Sequence, residues 1–130
     1  MLTWLLFTSI VLLQDAGFVP VASVAEIMQA LVVPSSNLLF NVGLEPPADD
    51  EGWKGVENNA IVLAESGNLL MLPERAEGRE GWIEAARQMA EAGRASLEAA
   101  RARDTDELIV LGDRILETCS TCHDEYWIVN

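Results

Sequence analysis

The chain has 130 residues, half of them hydrophobic, with 8 basic side chains against 21 acidic ones and a net charge of -13. That length supports one domain around one core. The charge speaks against a nucleic-acid partner, whose phosphates it would repel.

Residues 4–13 are a mostly apolar stretch, too short to cross a bilayer, which takes about 20 residues, but of the size of a secretory signal core. Residues 1–20 are therefore predicted to be a signal peptide or a short N-terminal anchor, and residues 21–130 the folded domain. Two details depart from a cleavable leader. No Lys or Arg precedes the stretch, and the small-residue cleavage points after Ser23 or Ala25 fall within the expected first helix. Cleavage after Ala16 spares that helix but puts Gln14 in a poor position. The alternative is a retained segment acting as an interfacial membrane anchor. Asp15 is the only charged side chain among residues 1–16, so removal of the segment would change the net charge by one unit.

Residues 21–41 read as the first helix, with Val24, Met28, Leu31, Leu38 and Leu39 apolar. Pro34 lacks a backbone donor and crowds the preceding turn, which predicts a kink near Leu31 or a break. Residues 43–52, with Pro46, Pro47 and four carboxylates, read as a loop. The second helix is expected over 53–71, with a stripe of Val56, Ala60, Leu63, Gly67 and Leu70, and Pro73 ends it. The third, over 79–102, divides most cleanly. Trp82, Ala85, Ala86, Met89, Gly93, Ser96, Leu97 and Ala100 lie inward, while Glu80, Glu84, Arg87, Glu91, Arg94, Glu98 and Arg101 form a solvated outer face. Ser96 can bond back to the Ala92 carbonyl. Asp104 and Glu107 form a capping-box pattern that opens a fourth helix, with Leu108, Leu111, Ile115, Cys119, Cys122 and Tyr126 on one stripe. The chain is thus predicted to be all-α. Small residues crowd the second and third helices, which would suit either close helix packing or a flat macrocycle between them.

The fourth helix ends in Cys119-Ser120-Thr121-Cys122-His123, a C-x-x-C-H sequence. Two thiols at this spacing can add across the two vinyl groups of one porphyrin, while the adjacent imidazole becomes an axial ligand of its iron. Steps of three and four let both thioethers and the imidazole project from one side of a helix. Other uses of such a pair fit less well. A dithiol redox pair sits at a helix N-terminus, which lowers its thiol pKa, and here the pair closes a helix. A zinc site would need carboxylates, because these are the only two cysteines and His123 is the only histidine. Chance places a histidine directly after such a pair roughly 2 to 3 per cent of the time. One covalent haem c, held by Cys119 and Cys122 with His123 on the iron, is the expected cofactor.

Four helices with this motif on the last one resemble the class II c-type cytochromes, the cytochrome c prime family, over residues 21–127. The resemblance implies an antiparallel four-helix bundle, bacterial origin, export to the periplasm with a membrane-facing location in some settings, and a homodimer. Members of that family either leave the iron five-coordinate under an apolar side chain and bind small gases, or supply a methionine from the first helix and carry electrons. Met28 is similar in placement to that methionine, and Met71 and Met89 lie on other helices. If Met28 does not bind, Leu31 or Val24 would cap an open iron. The expected function is electron transfer between redox partner proteins, with basic surfaces favoured by the acidic skin. No catalytic residue is expected, since acid-base chemistry would need a distal group and the sole histidine is already used.

Overall fold

The computed structural model of the protein describes residues 17–126. Among them every regular element is helical. A short α1 (Val24–Ile27) runs through a π-helical turn (Met28–Val32) into α2 (Val33–Asn41), followed by α3 (Asp50–Leu70), α4 (Pro73–Ala76), α5 (Glu80–Ala102) and α6 (Thr105–Tyr126). The apolar stretch at 4–13 and Trp127 lie outside the described residues.

The first helix starts three residues later than its apolar pattern implies, because Ser23 caps it. The Ser23 hydroxyl accepts from the Glu26 N–H at 3.2 Å, and the Glu26 carboxylate accepts from the Ser23 N–H at 2.8 Å. Each thereby satisfies a donor that the helix itself leaves unpaired. The interruption expected near Leu31 is the π turn, and Pro34 is the second residue of the helix that follows it. A wider turn relieves the clash between the proline ring and the carbonyl four residues back. Nearby serines take up carbonyls of this stretch: Ser35 donates to Leu31 at 2.6 Å and to Val32 at 3.1 Å, and Ser36 to Val33 at 3.2 Å.

Helix α3 begins earlier than expected, at Asp50, because Asp49 caps it by accepting from the Gly52 N–H at 2.8 Å. Asp50 and Glu51 then place negative charge at the positive end of the helix. Leu70 closes it, and Pro73 opens the separate turn α4. Asp104 accepts from the Glu107 N–H at 3.0 Å at the start of α6, as the sequence suggests.

The long helices run against one another in alternating directions. Most contact is between α3 and α5, then between α5 and α6, with α2 lying on α3 and more lightly on α6. The α3–α5 seam is where the small residues are used. A Cβ on Gly67 would sit 2.6 Å from the Ala86 carbonyl oxygen, and one on Gly93 would sit 2.6 Å from the Ala64 nitrogen. Between close packing and room for a macrocycle, the structure uses these residues for close packing. The α5–α6 pairing brings Arg114 toward Glu91 and Tyr126 onto Gly81. The α2–α6 approach is made by Phe40 on Gly112 and by Ile109 on Gly43.

The inner stripes of α3, α5 and α6 largely match the prediction: Val56, Ala60, Leu63, Leu70, Trp82, Ala86, Met89, Leu108, Leu111 and Ile115 are buried, while Leu97, Cys119, Cys122 and Tyr126 are half-buried. Ser96 donates to the Ala92 carbonyl at 2.8 Å. The first helix differs. Ile27, Val32, Ser35, Ser36 and Leu39 are buried, whereas Val24, Met28, Leu31 and Leu38 are only partly covered. The extra residue in the π turn rotates the buried face, so a stripe counted at constant period misses it.

Candidate haem-attachment site

Cys119 and Cys122 lie on the last turns of α6, one helical turn apart, half-buried against the edge of the core. The stripe that buries Leu108, Leu111 and Ile115 continues into them. The intervening Ser120 and Thr121 turn to solvent, with hydroxyls donating to Leu116 at 3.1 Å and Glu117 at 2.9 Å. His123 follows on the same helix, half-buried.

Loss of water pushes both thiols above their ordinary pKa. At Cys119 burial is the main cause, partly offset by a hydrogen bond with Thr118. At Cys122 burial again leads, the neighbouring Cys119 adds to it, and the Arg79 guanidinium opposes it. That direction is the reverse of what a reactive dithiol pair requires.

The wall beside Cys122 is built by the start of α5. Trp82 is buried and donates its indole N–H to the Leu70 carbonyl at 2.7 Å, tying α5 to the end of α3. Tyr126 meets Trp82 edge to face, with ring centroids 5.5 Å apart. Arg79 lies 4.4 Å over the Trp82 ring and 5.3 Å from that of Tyr126. It donates to the carbonyls of Ala76 and Arg75 at 3.1 and 2.7 Å. Arg75, in turn, donates to Leu69 at 2.9 Å and to Ala22 at 3.1 Å, so it joins the base of the first helix to the end of α3. Sequence reading did not pick out Arg75, Arg79 or Trp82 for this place. They meet only because antiparallel packing brings the end of α6 beside the start of α5, a contact no local spacing encodes.

Met28 lies in the π turn, half-buried. The turn itself packs on α3 and makes little approach to α6. Cys119, Cys122 and His123 thus share the last turns of α6, whereas Met28 lies on a turn whose main interhelical packing is on α3. Met71 is partly exposed just after α3, and Met89 is buried within α5.

Among the described residues, no three His, Cys, Asp or Glu side chains converge to hold a metal ion. A zinc site needs such convergence on one atom. Haem attachment does not, because the sulfurs bond to the ring periphery and only the imidazole reaches the iron. The donor set thus fits covalent haem: two thiols on one helix face and an imidazole on the next position. Comparison of the chain with protein-family models, with curated proteins and with solved structures finds no match.

Proposed function

We propose that the chain is a mono-haem c-type cytochrome that carries electrons, built as an antiparallel four-helix bundle of the cytochrome c prime type and exported to the bacterial periplasm. The observation that carries the reading is the C-x-x-C-H sequence on α6, with both thiols half-buried on the core side and the x-x pair turned to solvent. When bound, haem c supplies an iron that exchanges one electron between its ferric and ferrous states. Cys119 and Cys122 fix the group to α6, and His123 serves as the proximal ligand. Trp82 and Tyr126 would wall the attachment end. No residue of the chain is assigned a catalytic role.

Met28 is the proposed distal ligand, supported by its likeness in placement to the first-helix methionine of that family. A thioether in that position favours the ferrous state and raises the potential. A second reading, a five-coordinate gas-binding protein, is favoured by one specific observation: the turn that carries Met28 packs on α3 and makes little approach to α6.

The test uses protein made with a functional haem-attachment system. Mass spectrometry should find one haem bound through two thioethers, and two free thiols in such protein would end the proposal. The ferric spectrum should then show the weak far-red band of methionine ligation, lost in Met28→Ala with a change to high spin. A wild-type spectrum that is already high-spin, with ready binding of CO to the ferrous form, assigns the second reading instead.

A further inference from the structure

We propose that Arg75 takes a carboxylate side chain of the bound haem, so that one buried guanidinium ties the cofactor to the base of the first helix. The proposal rests on the cytochrome reading and adds to it a residue outside the C-x-x-C-H sequence. Arg75 is 8% exposed and lies in the short turn α4 between α3 and α5. Its terminal nitrogens donate to main-chain carbonyls, Nη1 to Leu69 at 2.9 Å and Nη2 to Ala22 at 3.1 Å. Its Nε is buried and has no acceptor.

What is left unanswered is a charge as well as a donor. The chain has 21 acidic side chains against 8 basic ones. Among the described residues, every basic side chain but Arg75 and Arg101 has a carboxylate within 4.0 Å. Arg101 is exposed to water, whereas Arg75 is not. Glu74 and Glu77 flank Arg75 in sequence, but both turn to solvent. A guanidinium withdrawn from water without a counter-charge is costly, and a planar carboxylate held by paired N–H bonds is the group that best offsets that cost. The guanidinium has five N–H donors, and the two carbonyls use two of them. It can therefore take a carboxylate without releasing either helix end.

Position makes the haem the source of that carboxylate. The Leu69 carbonyl held by Arg75 is next in sequence to the Leu70 carbonyl, which accepts the Trp82 indole N–H at 2.7 Å. Trp82 in turn meets Tyr126, one helical turn beyond Cys122. Arg79 holds the Arg75 carbonyl at 2.7 Å and lies over the Trp82 ring. Arg75 is thus at the end of the molecule where Cys119 and Cys122 would fix the ring, and haem c carries two carboxylate arms. Small anions of the medium share that chemistry, so the test labels the haem carboxylates themselves.

The experiment uses the full chain loaded with haem made from aminolevulinate labelled with carbon-13 at its carboxyl carbon. In redox-difference infrared spectra, Arg75→Gln should shift the labelled bands of one carboxylate. Arg101→Gln, which removes an equal charge at the surface, should shift neither, and Arg75→Lys should restore part of the wild-type position. Arg75→Gln should also move the ferrous–ferric balance several-fold toward ferric, because a carboxylate left unanswered favours the more positive iron. In urea, Arg75→Gln should raise the unfolding constant about tenfold more in haem-loaded protein than in a haem-free Cys119→Ser, Cys122→Ser chain. Labelled bands unmoved by Arg75→Gln, or equal destabilisation with and without haem, would overturn the proposal and leave Arg75 as a clasp for two carbonyls. If Arg75→Gln does not take up haem, Arg75→Lys decides: a shifted labelled band supports the proposal, and bands identical to wild type overturn it. A wild-type chain that mass spectrometry finds without haem ends this proposal together with the cytochrome reading, whereas haem-loaded protein with unmoved bands ends this proposal alone.

Discussion

Cys119 and Cys122 differ from a redox pair in what surrounds them more than in their spacing. Both thiols lose water to the core edge, and the Arg79 guanidinium only partly offsets that loss at Cys122. A thiol whose folded pKa is raised stays neutral longer in the native state than in the unfolded one. Its contribution to stability is complete below the ordinary thiol pKa and is lost as pH rises through the raised value. Haem-free chain should therefore react slowly with a thiol reagent at neutral pH, speed up sharply on unfolding, and lose urea resistance as pH is taken above about 9. Haem-loaded protein has no thiol to ionise, so its urea midpoint should not show that alkaline loss. Fast neutral-pH reaction of the folded haem-free chain would return the pair to the dithiol class. The motif itself was legible from five residues. Its half-buried setting was legible too, because the thiols continue the stripe of Leu108, Leu111 and Ile115. The Arg79, Trp82 and Tyr126 wall was not, since it depends on which helix end packs beside which.

At the level of elements, α3, α5 and α6 follow their sequence closely because nothing interrupts their period, and the first helix does not. Pro34 and the π turn before it shift its phase by a residue, which is why Ile27 and Val32 are buried where Val24, Met28 and Leu31 are expected. The starts of α1 and α3 are set by Ser23 and Asp49, whose capping role is local chemistry that an apolar stripe does not report. The small residues of α3 and α5 carry a sharper consequence. Alanine is favoured over glycine inside a helix by about 1 kcal/mol, so Gly→Ala in open space should stabilise, and Gly55, with nothing near its missing Cβ, is such a place. At Gly67 and Gly93 the added carbon would press on backbone atoms of the facing helix at 2.6 Å. Backbone cannot rotate away as a side chain can, and the helices must separate. Overpacking of this kind costs about 1–3 kcal/mol and outweighs the propensity gain. Urea denaturation should find Gly67→Ala and Gly93→Ala less stable, and Gly55→Ala equal to or more stable than wild type. Stabilisation at all three would mean that the α3–α5 seam is looser than described, with room between the helices after all.

For the whole molecule, the net charge of -13 matters by its distribution as much as by its size. Of the eight basic residues, Arg75 and Arg79 belong to the C-x-x-C-H end, where both donate to carbonyls, Arg79 lies over aromatic rings, and Arg79 also pairs loosely with Glu77 at 4.0 Å. The exposed groups around them are carboxylates: Glu74, Glu77, Glu80, Asp124 and Glu125. On the far side, Arg103 pairs with Asp50 at 2.5 Å, and along α5 Arg94 pairs with Glu98 at 2.6 Å, so acidic charge is locally answered there. If electrons pass at the attachment end, a cationic reagent should be drawn to it and an anionic one held away. The range of that field is set by screening, about 30 Å at 0.01 M salt and about 8 Å at 0.15 M. Stopped-flow oxidation of the ferrous protein by a cationic complex should therefore slow as salt is raised, and oxidation by an anionic complex of similar driving force should quicken. Net charge alone would give the same sign, so location needs a second comparison. Glu77→Gln with Asp124→Asn removes two charges beside the attachment turn, whereas Asp106→Asn with Glu107→Gln removes two at the opposite end. Equal loss of salt dependence from both pairs would assign the effect to total charge. A loss confined to the first pair places electron entry at the acidic rim around Cys122.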